Sequence, residues 1–169
     1  MKKLQLIAFV LITSALFISC KDSKSVSKPD DLGKYVFDIL KDFDNVTKDG
    51  YINTILTVEE IKAFGERNAE TLDPKAKKSI DRLEKDEYDD RMGRDFNRIK
   101  EKAQKAGVAW DAIEYANYEF EERDENGMTS YRGVLTFKHA DEAYSVRVIG
   151  VLLEGSYKLV RISSMRPAQ

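Results

Sequence analysis

At Gly107 the spacing of apolar residues changes from three and four to two, and that switch divides the chain into a helical part followed by a β part. Before it, Leu32, Val36, Ile39 and Phe43 fall on one helical face, with Asp30 or Asp31 placed to cap the first turn. A polar stretch from Asp44 to Gly50 ends this helix. Thr57-Val58-Glu59-Glu60 has the form of a capping box and opens a second helix that buries Ile61 and Phe64. Asp73-Pro74 is a further start signal, because proline suits the first helical position and aspartate the cap. From Lys75 to Ala106, Ile80, Leu83, Tyr88, Met92, Phe96, Ile99 and Ala103 give one apolar stripe on one long helix or two. Gly107 is the left-handed residue expected at the end of that run.

Beyond Gly107, turn signals recur at Asn126-Gly127, His139 to Glu142 and Glu154-Gly155, which predicts four antiparallel strands in a meander. Tyr131, Leu135 and Phe137 alternate with Arg132, Thr136 and Lys138 on the second strand. On the third, Tyr144, Val146, Val148 and Leu152 share one face, while Ile149 and Val151 make the other apolar, so this strand is expected to be covered on both sides near its end. A phase change between Ile113, Tyr115 and Tyr118, Phe120 predicts a bulge near Asn117. Gly133 and Gly150 within strands point to curvature or close backbone approach. The fold class is therefore α+β, with N-terminal helices packed on a curved four-stranded antiparallel meander.

The N-terminus constrains location. Lys2 and Lys3 precede an uncharged run from Leu4 to Ile18, too short to span a hydrocarbon core but matching a cleavable export signal. The protein's single cysteine, Cys20, stands where that run ends, after small Ser19. This placement resembles the lipobox of bacterial lipoproteins, with Phe17 where the usual pattern has leucine, a departure similar to signals of the Bacteroidetes. The resemblance implies that residues 1–19 are removed, that Cys20 becomes the lipid-bearing first residue, and that the membrane is a partner through that lipid. Lys21, in place of aspartate, resembles lipoproteins passed to the outer membrane. Residues 20–30 then read as lipidated cysteine and flexible tether, and residues 31–169 as one domain. With one cysteine, no disulfide can form within the chain.

The formal charge of −2, with charged residues at 34%, gives no global field to select nucleic acid. The order of helices and then a bent meander, together with the close Gly155-Ser156-Tyr157-Lys158-Leu159-Val160-Arg161-Ile162, resembles the cystatin-like superfamily, including the nuclear transport factor 2-like folds. That resemblance covers residues 30 to 166. Only Tyr51 to Leu56 could supply the short early strand pair of the full nuclear transport factor 2-like cone. The scaffold hosts isomerases, dehydratases, immunity proteins and binding modules, so the function must come from the site.

The sequence contains no catalytic constellation, and no cofactor or metal is expected. His139 falls at a turn beside Asp141, where a solvated role is the simpler reading. Asn45 to Asn53 resembles a calcium loop at Gly50, but Leu56 stands where the bidentate glutamate is required. Glu119, Glu121, Glu122, Asp124 and Glu125 form an acidic hairpin that protects an edge or meets a basic partner. Tyr115, Tyr131, Tyr144 and Tyr157 fall one per strand, as a core band or as hydroxyls turned into a concavity. Arg147 either snorkels to the edge of an apolar face or marks a pocket for an anionic group. The expectation is a non-enzymatic binding or interaction module in the cell envelope. The alternative is a small-ligand-binding or isomerase-like enzyme with Tyr131, Tyr144 and Arg147 in a pocket between helices and sheet.

Overall fold

Leu32, Val36, Ile39, Leu40 and Phe43 are all buried, and this inward stripe fixes how the first helix, α1 (Asp31–Lys41), lies against the sheet. Its first turn is closed by backbone bonds from Asp31 N–H to Lys28 C=O and from Leu32 N–H to Pro29 C=O, and the Asp30 side chain makes no capping bond. The computed structural model describes residues 25–125 and 127–168. The expected signal at 1–19, Cys20 and the start of the tether lie outside the described residues, as does Asn126.

The polar stretch after α1 contains a further helix, α2 (Lys48–Ile52), whose N-cap Thr47 accepts from Gly50 N–H at 3.0 Å. This five-residue turn drives Tyr51 into the core, where its hydroxyl donates to the Ile162 carbonyl at 3.2 Å. Tyr51 to Leu56 thus forms no early strand pair. Its backbone link to the sheet is the bond from Leu56 N–H to Leu159 C=O, 2.7 Å. The helix α3 (Val58–Arg67) starts with the expected capping box, Glu60 N–H on Thr57 Oγ1 and Thr57 N–H on Glu60 Oε2. In α4 (Pro74–Asp81) the Asp73 carboxylate accepts from Lys75 N–H at 2.7 Å. The long charged run is two helices, α4 and α5 (Lys85–Lys105), broken at Arg82 to Glu84. A short 3-10 turn, Trp110–Ala112, then leads into the sheet.

The sheet has five strands, where four were expected. Its order is β1-β5-β4-β3-β2, all antiparallel: β1 (Ser25–Val26), β2 (Glu114–Glu125), β3 (Met128–His139), β4 (Glu142–Leu153) and β5 (Ser156–Pro167). The added strand comes from the segment read as tether, with Ser25 opposite Lys158 and Val26 opposite Tyr157. It satisfies part of the β5 edge, and two residues are too few to show a period of two.

Bulges occur between Tyr115 and Asn117, as expected, and also between Ser145 and Arg147 and between Ile149 and Gly150, so the sheet curls around the helices. Helix α1 lies across β2 to β5, and α5 runs beside β5. Between them Phe43, Tyr51, Phe96, Trp110 and Phe137 form an aromatic cluster with centroids 4.8 to 6.0 Å apart.

The strand glycines sit at close approaches. A Cβ at Gly133 would stand 2.4 Å from the Tyr118 ring, and one at Gly150 would stand 2.5 Å from Leu32 Cδ1. Gly133→Ala is therefore expected to lower unfolding stability by about 1–3 kcal/mol, since the buried Tyr118 ring must leave its place. Urea unfolding checks this, and a midpoint equal to wild type would show that the ring yields freely.

Candidate functional site

Strand parity decides what the proposed pocket residues can do together. On β3 the side chains of Tyr131, Leu135 and Phe137 point to the face that α1 covers, and across β4 they are joined by Tyr144, Val146 and Val148, all buried. Tyr131 is 2% exposed and packs edge to face on Tyr157 at 5.1 Å and on Phe120 at 5.8 Å. Burial, and then hydrogen bonding to Tyr157 and Glu122, push its phenol well above the ordinary value. Tyr144 stacks on Phe137 at 5.9 Å and hydrogen-bonds the Glu142 carboxylate, which raises its pKa.

Tyr131 stands opposite Gly150, whereas Tyr144 stands opposite Phe137, six residues further along the strand, about 20 Å away. Arg147, paired with Val134 and Ser163, points to the opposite face. The structure does not bring Tyr131, Tyr144 and Arg147 together. The tyrosine band likewise divides: Tyr131 joins Tyr157, Tyr144 joins Phe137, and Tyr115 meets Phe37 at 5.5 Å.

Arg147 instead lies in an open trough of about 700 Å³ on the sheet face away from α1, lined by Ser130, Arg132, Val134, Ile149, Arg161 and Ser163 among others. Ser163 is buried at its floor and Val134 is exposed at 36%. Arg161 reaches Asp95 of α5, Nε to Oδ2 2.6 Å, and Arg132 has a partner of its own. Arg147 is the trough cation that makes no ion pair among the described residues. A guanidinium without an ion pair, with apolar Val134 and Ile149 beside it and Ser163 opposite it on the next strand, is suited to a planar anion such as a carboxylate, and Glu121, the acid of the trough lining, is held by Arg123.

The other sequence signals resolve locally. His139 Nε2 accepts from Ala109 N–H at 3.2 Å, tying the end of β3 to the entry of the 3-10 turn. In the loop that resembles a calcium site, Asn45 donates to Asp42 at 2.7 Å and Thr47 caps α2. Among the described residues no group of three or more His, Cys, Asp or Glu is arranged to hold a metal. On the acidic hairpin, Glu121 pairs with Arg123 at 2.9 Å and Asp124 accepts from Thr129 at 2.6 Å. These charges line β2, which pairs with β3 on one side only among the described residues, and at that edge they oppose pairing with other chains.

Two features lay outside the sequence reading. One is Asp95, 4% exposed and ion-paired with Arg161; its only signal was its place beside Met92 and Phe96 on the buried stripe of α5. The other is an apolar cavity of about 240 Å³ beneath α3 and α4, lined by residues that include Ile61, Phe64, Ile80, Val151 and Leu153. It arises where β4 is covered on its second face, as the sequence led one to expect. Among the described residues no helix is long and apolar enough to cross a membrane. Comparison with protein-family models, curated proteins and solved structures gives no match.

Proposed function

We propose that this chain is a lipid-anchored envelope protein that acts as a binding module through the sheet face opposite α1, with an anionic group of the partner held at Arg147. The observation that carries the reading is the open trough lined in part by Arg147, which makes no ion pair among the described residues, on a domain whose other sheet face is filled by its own core. The anchor part rests on the lipobox-like placement of Cys20, with the outer membrane as the expected address. The fold type proposed is cystatin-like, in the nuclear transport factor 2-like manner; helices on a curled antiparallel sheet support it. The isomerase-like alternative loses its proposed trio, because Tyr131 and Tyr144 are about 20 Å apart and Arg147 is on the other face.

Charge reversal tests the surface. Arg147 is exposed, so Arg147→Glu leaves the core intact, and a partner recovered from native envelopes with the wild-type protein should fall by at least about tenfold, as loss of one charge-assisted pair and gain of repulsion require. Equal recovery with both proteins would contradict this assignment of the surface.

A further inference from the structure

The α3–α4 hairpin is attached differently from the rest of the molecule. Leu72, Ala76 and Ile80, with Phe64 and Met128, form a satellite cluster that meets the main core through Ile61, which packs against both. The ion pair Arg67 with Glu154, 2.6 Å, is exposed, and Lys85 with Glu59 at 3.8 Å is looser still. Between this hairpin and the sheet lies the 240 Å³ cavity, in which Ser79 is the one polar side chain of the lining. Its volume exceeds the roughly 150 Å³ at which a dry apolar cavity already takes benzene. With no charge in the lining, only the hydrocarbon part of a ligand can enter, and any polar head must stay at the mouth.

Helix α4 supplies the other half of the recognition. Its Ala76, Ser79 and Ile80 line the cavity, while Lys75, Lys77 and Lys78 of the same helix, and Arg82 at its end, are exposed and make no ion pair among the described residues. In this region Asp81 is an exposed acid, and the Asp73 carboxylate is engaged by Lys75 N–H. A cationic helix beside an apolar cavity complements an amphiphile with an anionic head. We infer that the cavity under α3 and α4 binds one unbranched hydrocarbon chain of an anionic amphiphile, with its head group held by the lysines of α4.

Isothermal titration of the full chain with dodecanoate, below the concentration at which it forms micelles, tests this. The expected result is saturable binding of one chain, weakening about fourfold for each methylene removed on going to decanoate and octanoate. Dodecyltrimethylammonium should bind at least about tenfold more weakly, and Lys75→Glu with Lys78→Glu should reverse that preference. Ser79→Leu, a change at an exposed lining position that leaves the core intact, should lower dodecanoate affinity by a similar factor by occupying the mouth. Absence of saturable binding, binding unaltered by Ser79→Leu, or equal affinity for the two head groups would each overturn the inference.

Discussion

A chain exported behind an ordinary cleavable signal and carrying Cys20→Ala is expected in the soluble fraction, whereas the native protein is expected in the membrane fraction with an acyl mass on its first residue. The reason is the arithmetic of anchoring. One buried acyl chain gives only a marginal association, on the order of 10⁴ M⁻¹, while each further methylene adds about 0.8 kcal/mol, so several chains on one cysteine make release negligible. The described residues offer no helical span to replace that anchor. Intact-mass measurement of the native protein, with fractionation of both, reads the result. A native chain without lipid mass, or a variant that remains with the membrane, would remove the anchor from the account.

The second large effect lies in the ion pair between Asp95 and Arg161. The Asp95 side chain is 5% exposed, and its carboxylate faces the Arg161 guanidinium at 2.6 Å. Arg161→Met is expected to cost about 3 kcal/mol in urea unfolding, because it leaves a desolvated carboxylate without its counter-charge. Asp95→Asn keeps an acceptor for the Arg161 Nε–H and should cost only about 1 kcal/mol. Replacing both, Asp95→Leu with Arg161→Met, should recover most of the loss, since an apolar pair of similar size needs no solvation. A single Arg161→Met variant as stable as wild type would show that water reaches the carboxylate.

That pair also shows where sequence reading stops. Asp95 sits on a 21-residue helix rich in exposed acids and bases, and nothing in its type distinguishes it from Asp86 or Asp90; only its angle beside Met92 and Phe96 does. The helix α1, the capping box at Thr57 and the bulge at Asn117 were legible because each rests on short-range spacing that local chemistry enforces. The strand Ser25–Val26 and the helix Lys48–Ile52 were not. Two and five residues carry no period, and the first exists only because the β5 edge offers partners.

The candidate site divides along the same line. Alternation on β4 already set Arg147 on the face opposite Tyr144, so a pocket holding both ran against the chain's own parity. The separation of Tyr131 from Tyr144 depends on register, which pairs Tyr131 with Gly150 and Phe137 with Tyr144. The trough around Arg147 needed the third dimension, because its lining comes from β2 to β5, and Arg147 stands out as a cation without an ion pair among the described residues only once Arg161 is seen to reach Asp95 and Arg132 to have a partner.

Site-specific photo-crosslinking in the native envelope tests the binding surface most directly. A photoreactive side chain replacing exposed Val134, beside Arg147, is compared with one replacing exposed Gln104 on α5. A discrete adduct is expected from position 134, lost when Arg147→Glu is added, and no such adduct from position 104. The same adduct from both positions, or one at 134 that survives charge reversal, would contradict binding through this face.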